Sequence, residues 1–314
     1  MFTASKAWRR LAATTCLALA ALGAAPAAQA DDYTRTAYPI VLVHGFLGFD
    51  QLGPVNMFYG IPSALAAGGA TVYVTQEPAA QSAAVRGEAL LANLKALKAA
   101  HGHARFNLIG HSMGGLDARY VAAVAPELVA SVTTVGTPHQ GSAVADGIEA
   151  GTTATGTTTL VANVVNALAG FLGFLSGDTT STQDSLAALK SLTSRGAAAF
   201  NATFPAGAPS SACGSGAASV NGVRYYSVGG SAVVTNVFDP ADALMLAGSV
   251  FFGATDNDGL VGRCSSHWGT VLKDNYGWNH LDEVNHTLGL RNVSAADPVA
   301  FYRAQANRLK AAGL

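Results

Sequence analysis

Charge is scarce in this sequence. Lys and Arg number 18 and Asp and Glu 19 among 314 residues, which makes 12% charged and a net charge of −1. No basic footprint of the kind that binds nucleic acid is therefore available. Cysteine is rarer still, with Cys16, Cys213 and Cys264 only. Neither C-x-x-C nor H-E-x-x-H occurs, which removes the common zinc motifs. What the chain has in quantity is apolar surface, 50% of its residues being hydrophobic. It can bury a large core, and its surface must be poor in charge, which suits a protein that meets an oily phase.

The first thirty residues read as an address and not as part of the fold. Lys6, Arg9 and Arg10 are followed by a mostly apolar, uncharged run from Leu11 to Leu22 and by Ala28-Gln29-Ala30, a small-x-small cleavage pattern. The run is too short for a permanent bilayer span. Ala13 stands where a lipoprotein signal has Leu, so Cys16 is not read as a lipid attachment site. The expectation is export, with residues 31–314 forming a single domain and no integral membrane segment left in the mature chain. Two cysteines then remain, and an even count in an exported chain reads as one disulfide, Cys213 to Cys264, against the alternative of two buried thiols.

Strand and helix patterns alternate along the first half. Pro39–Val43 is a continuous apolar run ending at His44-Gly45, as expected of a strand buried on both faces. Ala70–Thr75 is a second strand, and Ser82–Ala100 turns helical with Leu90, Leu94 and Leu97 on one face. Arg105–Ile109 reads as strand, Met113–Val124 as helix and Ser131–Val135 as strand. This alternation predicts an α/β fold, a mainly parallel sheet with helices on both faces. Beyond Gly141 the character changes. Ala150–Thr159 is all Gly, Thr and Ala and reads as a flexible hinge. Leu160–Leu175 is apolar nearly all round, either a buried core helix or a lid over a site, and periodicity does not separate the two.

The strongest chemical signal is Gly110-His111-Ser112-Met113-Gly114, a G-x-S-x-G pentapeptide between a strand and a helix. In that context it reads as a nucleophile elbow, where a sharp turn lifts the serine hydroxyl above the sheet. The helix start offers unpaired N–H groups to a developing oxyanion. His44-Gly45-Phe46-Leu47-Gly48, after the first strand, is placed to supply a second donor. The backbone N–H groups of Phe46 and Met113 are the candidate oxyanion hole, and His44 is read as holding its loop, not as a base. In this fold the acid and then the base follow the serine. His280 lies in a late polar loop, whereas His139 precedes any plausible acid. Asp258, in Thr255–Val261, is the favoured acid, with Asp256 and Asp239 as competitors that spacing does not remove.

The chain resembles the secreted, foldase-dependent bacterial lipases of the Pseudomonas and Burkholderia type. The likeness runs from Tyr38–Leu42 to the closing helix around Ala306–Lys310, and its more specific stretches are Arg119–Ala122, Asn257–Val261 and Asn279–Asn285. The resemblance implies an α/β-hydrolase fold with a helical lid at about 146–176, so that Leu160–Leu175 is the lid. It implies a triacylglycerol lipase with the triad Ser112, Asp258 and His280, which selects Asp258 over Asp256. It also implies a disulfide between Cys213 and Cys264, a lipase-specific foldase as partner during export through the periplasm, and an acylglycerol substrate met at an oil–water interface. One structural Ca2+ is implied on the side chains of Asp239 and Asp282 and the carbonyls of His286 and Leu290. Two positions depart from the pattern: His286 where Gln is expected, and Met113 where His or Gln is usual. The resemblance implies that both act through the backbone, so the departures bear on chain-length preference more than on catalysis. A carboxylesterase or polyester depolymerase with the same triad is the rival enzyme, and a non-catalytic binding module the rival of another class.

Overall fold

The computed structural model describes residues 31–46, 51–52, 55–153 and 184–314. The proposed signal segment, the rest of the expected hinge from residue 154 and the apolar stretch Leu160–Leu175 lie outside the described residues. Nine strands are found among those described: β1 (Ile40–Val43), β2 (Gln51–Leu52), β3 (Val55–Asn56), β4 (Val72–Thr75), β5 (Phe106–His111), β6 (Val129–Val135), β7 (Ser219–Val220), β8 (Val223–Gly230) and β9 (Thr270–Tyr276). β2 and β3 form a small separate hairpin. The others make one sheet in the order β4-β1-β5-β6-β8-β7, with β9 also on β8. Every pair in this sheet is parallel except β7–β8.

The α-helices among the described residues are α1 (Ile61–Ala67), α2 (Ala83–His101), α3 (Met113–Val124), α4 (Ala143–Thr153), α5 (Ser185–Leu192), α6 (Ser194–Thr203), α7 (Ala241–Ser249) and α8 (Pro298–Ala311). Side chains alternate across a strand, and β1 shows what that does here. Ile40 and Leu42 join one core with Ile61 and Leu65 of α1 and Phe301 and Tyr302 of α8. Val41 and Val43 join the opposite core with Leu90 and Leu94 of α2 and Val121 of α3. All four β1 residues are fully buried. The continuous apolar run in the sequence is thus the mark of a strand covered on both faces.

One expectation is corrected. Ala150–Thr153, read as the start of a flexible hinge, is the last turn of α4. Val144 and Ile148 on that helix pack with Leu189, Phe251 and Leu260. Burial of this apolar stripe outweighs the weak helix propensity of Gly151, Thr152 and Thr153. Cys213 and Cys264 are bonded, tying segments 51 residues apart. No helix among the described residues is long and apolar enough to cross a membrane.

Candidate active site

Ser112 sits between the end of β5 and the start of α3 with φ 54° and ψ −128°. A positive φ is uncommon for a residue with a Cβ and costs conformational energy, so the surroundings must enforce it. They do so by close packing. A Cβ at Gly110 would lie 2.4 Å from the Gly114 carbonyl, and one at Gly114 would lie 2.4 Å from the Val43 carbonyl. The two glycines of the pentapeptide are therefore there for backbone approach. Met113 is the first residue of α3, where backbone N–H groups have no partner within the helix.

The loop after β1 passes over the nucleophile. A Cβ on Gly45 would come 2.7 Å from Ser112 Cβ. Phe46 packs in one cluster with Met113 and Leu116, so the two candidate oxyanion residues are neighbours. Behind them lies a buried network that the sequence did not disclose. Arg86 of α2 donates to the His44 carbonyl at 2.7 Å, to Asp117 Oδ2 of α3 at 2.9 Å and to the Pro78 carbonyl. The guanidinium and both its acidic neighbours, Asp117 and Glu77, are buried. Burial pushes Asp117 up to about 7, against the pull of Arg86, and raises Glu77 as well. His44 Nδ1–H donates to the Gly45 carbonyl, and its Nε2 accepts from the Glu77 N–H. Burial and Arg86 lower this imidazole to about 3, so it is a neutral brace of its loop.

His280 follows β9 in a loop that is polar yet buried. The loop is seated by Trp278, which stacks on Tyr276 at 3.8 Å and donates to the Ala296 carbonyl. Asn279 Oδ1 accepts from the N–H groups of Leu281 and Asp282, and its amide donates to Asp242 Oδ1 at 2.7 Å. Asp258 lies in a tight turn whose chain reversal uses Gly259 at φ 100°. Its Oδ1 accepts from the N–H groups of Leu260 and Val261, and its Oδ2 lies 2.8 Å from His280 Nδ1. With Nδ1–H donating to the carboxylate, Nε2 is the free basic nitrogen. The competing acids lie elsewhere: Asp256 is exposed on Arg263, and Asp239 accepts from the Ala241 N–H. His139 accepts from Arg119 and stacks on Trp268, a core position.

Glu283 is a site residue that sequence reasoning missed. Its Oε1 accepts from the Gly230 N–H at 2.7 Å, and its Oε2 lies 3.4 Å from His111 Nε2 and 3.8 Å from His280 Nδ1. A Cβ at Gly136 would collide with this carboxyl, so the residue that follows β6 is a glycine that admits it. His111, His280 and Glu283 are close enough together to hold a metal, but the ring nitrogens that face inward are engaged with Asp258 and the His280 carbonyl.

Ser112 and His280 open on one cavity with an empty volume of about 850 Å³, part of it facing solvent. Its walls include Phe46, Met57, Val144, Ile148, Leu189, Leu192, Leu244, Met245, Leu260 and Val261, a mainly apolar surround in which Ser112, His280, His111 and Ser142 supply the polar side chains.

A second cluster lies behind the His280 loop. Asp239, Asp242 and Asp282 are all buried. Asp242 is satisfied by the Thr235 and Asn236 N–H groups and by Asn279. Asp282 Oδ2 accepts from the Asn279 N–H, while its Oδ1 is buried without a hydrogen bond. Burial, with Asp242 and Asp239 adding their charge, pushes Asp282 up to about 6. His286 and Leu290 flank the adjoining turn Thr287–Gly289, and the His286 carbonyl accepts from the Gly289 N–H.

A family model described as the alpha/beta hydrolase fold matches residues 38–268. A triacylglycerol lipase of Vibrio cholerae is 50% identical over 285 residues, covering 90% of each chain. A triacylglycerol lipase of Burkholderia plantarii is 45% identical over 330 residues, covering 93% of this chain and 92% of its own. Among solved structures, the Bacillus licheniformis lipase BlEst2 in its mature form superposes with a TM-score of 0.61 at 19% identity. The match covers 87% of this chain and 92% of that one and speaks to the fold alone.

Proposed function

The chain belongs to the α/β-hydrolase family, alongside triacylglycerol lipases, and on that premise we propose that it hydrolyses acylglycerol esters through an acyl-enzyme on Ser112. The observation that carries the reading is a serine on a strained turn sharing an apolar cavity with a histidine bonded to a buried carboxylate. His280 Nε2 takes the hydroxyl proton as Ser112 Oγ attacks the ester carbonyl carbon, and Asp258 fixes the ring and stabilises its charged form. The N–H groups of Phe46 and Met113 receive the oxyanion. The proton returns to the departing alcohol, and water then cleaves the acyl-enzyme by the same steps. The apolar lining of the cavity suits an acyl chain, each buried CH2 of which is worth about 0.8 kcal/mol.

The test is hydrolysis by the purified chain of soluble p-nitrophenyl esters and of emulsified long-chain triglycerides. The expected result is hydrolysis of both, with kcat/KM rising from acetate to medium-chain esters. Activity confined to short soluble esters would make the protein a carboxylesterase.

The proposal includes one structural Ca2+ on the carboxylates of Asp239 and Asp282 and the carbonyls of His286 and Leu290. Support comes from the buried, unbonded Asp282 Oδ1 and from an all-oxygen donor set, which fits a hard cation. When bound, the ion supplies positive charge to a crowded group of carboxylates two residues from His280. Chelation is expected to lower both the melting temperature and the activity, since a ligand held only by the folded state stabilises it. Asp239→Ala and Asp282→Ala should each behave like the chelated protein. Unchanged melting and activity after exhaustive chelation would remove the site. Export and removal of residues 1–30 are proposed from the basic start, the apolar run and the small-x-small pattern of the N-terminus, and secretion with the help of a lipase-specific foldase from the sequence resemblance.

A further inference from the structure

His111, the second residue of the elbow, has a side chain that the mechanism above does not use. It ends β5, immediately before the nucleophile, and its ring is 1% exposed. Nε2 lies 2.9 Å from the His280 carbonyl oxygen and 3.4 Å from Glu283 Oε2. The carbonyl oxygen can only accept, so Nε2 carries the proton and donates it there. Nδ1 makes no hydrogen bond. Burial holds the imidazole well below its ordinary pKa, with the adjacent His280 contributing, so the ring is neutral beside a base that must itself become charged. The two rings lie 4.6 Å apart, centre to centre.

Three hydrogen bonds fix the base residue. Its N–H donates to the Asp258 carbonyl at 2.9 Å, its Nδ1–H to Asp258 Oδ2, and its carbonyl accepts from His111. The first two locate His280 relative to the acid. Only the third, among these, locates it relative to the nucleophile, because His111 adjoins Ser112 in the chain. The elbow and the base loop are 169 residues apart in sequence, so their relative position depends on contacts of this kind.

We propose that His111 is a positioning residue for the base, its Nε2–H holding the His280 carbonyl and so setting the approach of the His280 ring to the Ser112 hydroxyl. The proposal rests on the assignment of His280 as the base. Reacting groups displaced by about 1 Å lose on the order of 10²-fold in rate. Loss of the tie should therefore appear mainly in kcat and little in KM, since the apolar walls of the cavity, Val144, Ile148, Leu189 and Leu244 among them, are left in place.

The test compares His111→Gln, His111→Asn and His111→Phe in the full mature chain, reading kcat, KM and melting temperature on a soluble p-nitrophenyl ester. Gln reaches its amide N–H to the position of Nε2, whereas Asn carries the same group only as far as Nδ1. Gln is expected to stay within about threefold of the parent in kcat, while Asn and Phe fall about 10- to 100-fold with KM within about twofold. Equal kcat values for Gln and Asn would overturn the proposal, as would a Phe variant with parental kcat. The Gln–Asn contrast decides the matter even where Phe fails to fold. Full activity in His280→Ala would instead strike the base assignment, and this proposal with it.

Discussion

Ser112→Ala is expected to lower ester hydrolysis on the order of 10⁴- to 10⁶-fold while leaving the melting temperature near that of the parent. The covalent route disappears with the hydroxyl, and what remains is binding and the backbone donors. Nothing in the fold should suffer, because alanine keeps the Cβ and the main chain stays wedged between Gly110 and Gly114. Removing the positive-φ residue's side-chain oxygen relieves no backbone strain either, so stability should not rise appreciably. His280→Ala is expected to fall nearly as far, since nucleophile and base act as a unit, and the double variant should be little worse than either single one. Comparing initial rates of the three variants on one soluble ester checks this, and multiplicative losses would show that the two residues act independently.

Arg86→Met carries the largest expected effect on stability. Arg86 and Asp117 are both fully buried and 2.8 Å apart. Removing one partner of a buried pair leaves an uncompensated charge, at a cost of about 3–5 kcal/mol. Asp117 already titrates at about 7 through burial, and without the guanidinium it should be neutral in the folded state. That protonation sets a ceiling on the loss. Replacing both residues by apolar ones, Arg86→Met with Asp117→Leu, should recover much of the stability. It should not recover activity, because the His44 carbonyl still lacks its donor and the loop carrying Phe46 is held less firmly. Urea unfolding of the single and double variants, read with kcat, separates the two roles. A single variant as stable as the parent would contradict the account of this network.

How much of this is legible in the sequence depends on how local the cause is. The helix Met113–Val124 and the strand before Ser112 are legible because the strand's apolar run and the helix breaker Pro126 lie within one window. The curl of Thr255–Val261 around Asp258 is local too, but its orientation toward His280 is not. Spacing does not separate Asp256 from Asp258; the resemblance selects Asp258, and the physical reason is that Gly259 turns the chain and Arg263 takes Asp256 outward. Partners far apart in the chain leave no pattern at all. Arg86 finds His44 across 42 residues and Asp117 across 31, and His111 finds His280 across 169. Glu283 looks like an ordinary acid of a polar loop until Gly136 and Gly230 are seen to make room for it and bond it. Asp242 likewise gives no sign that it anchors Asn279 and so the base loop. In α4 the local signal is outweighed, since Gly and Thr suggest flexibility while Ile148 and Val144 bind the helix to its neighbours.

Labelling with a fluorophosphonate followed by peptide mass spectrometry tests the central claim most directly. The account predicts one stoichiometric adduct, on Ser112, with parallel loss of ester hydrolysis. It also predicts that His280→Ala slows the labelling by orders of magnitude without moving it to another residue. An adduct on a different serine, or full hydrolytic activity surviving complete modification of Ser112, would contradict it.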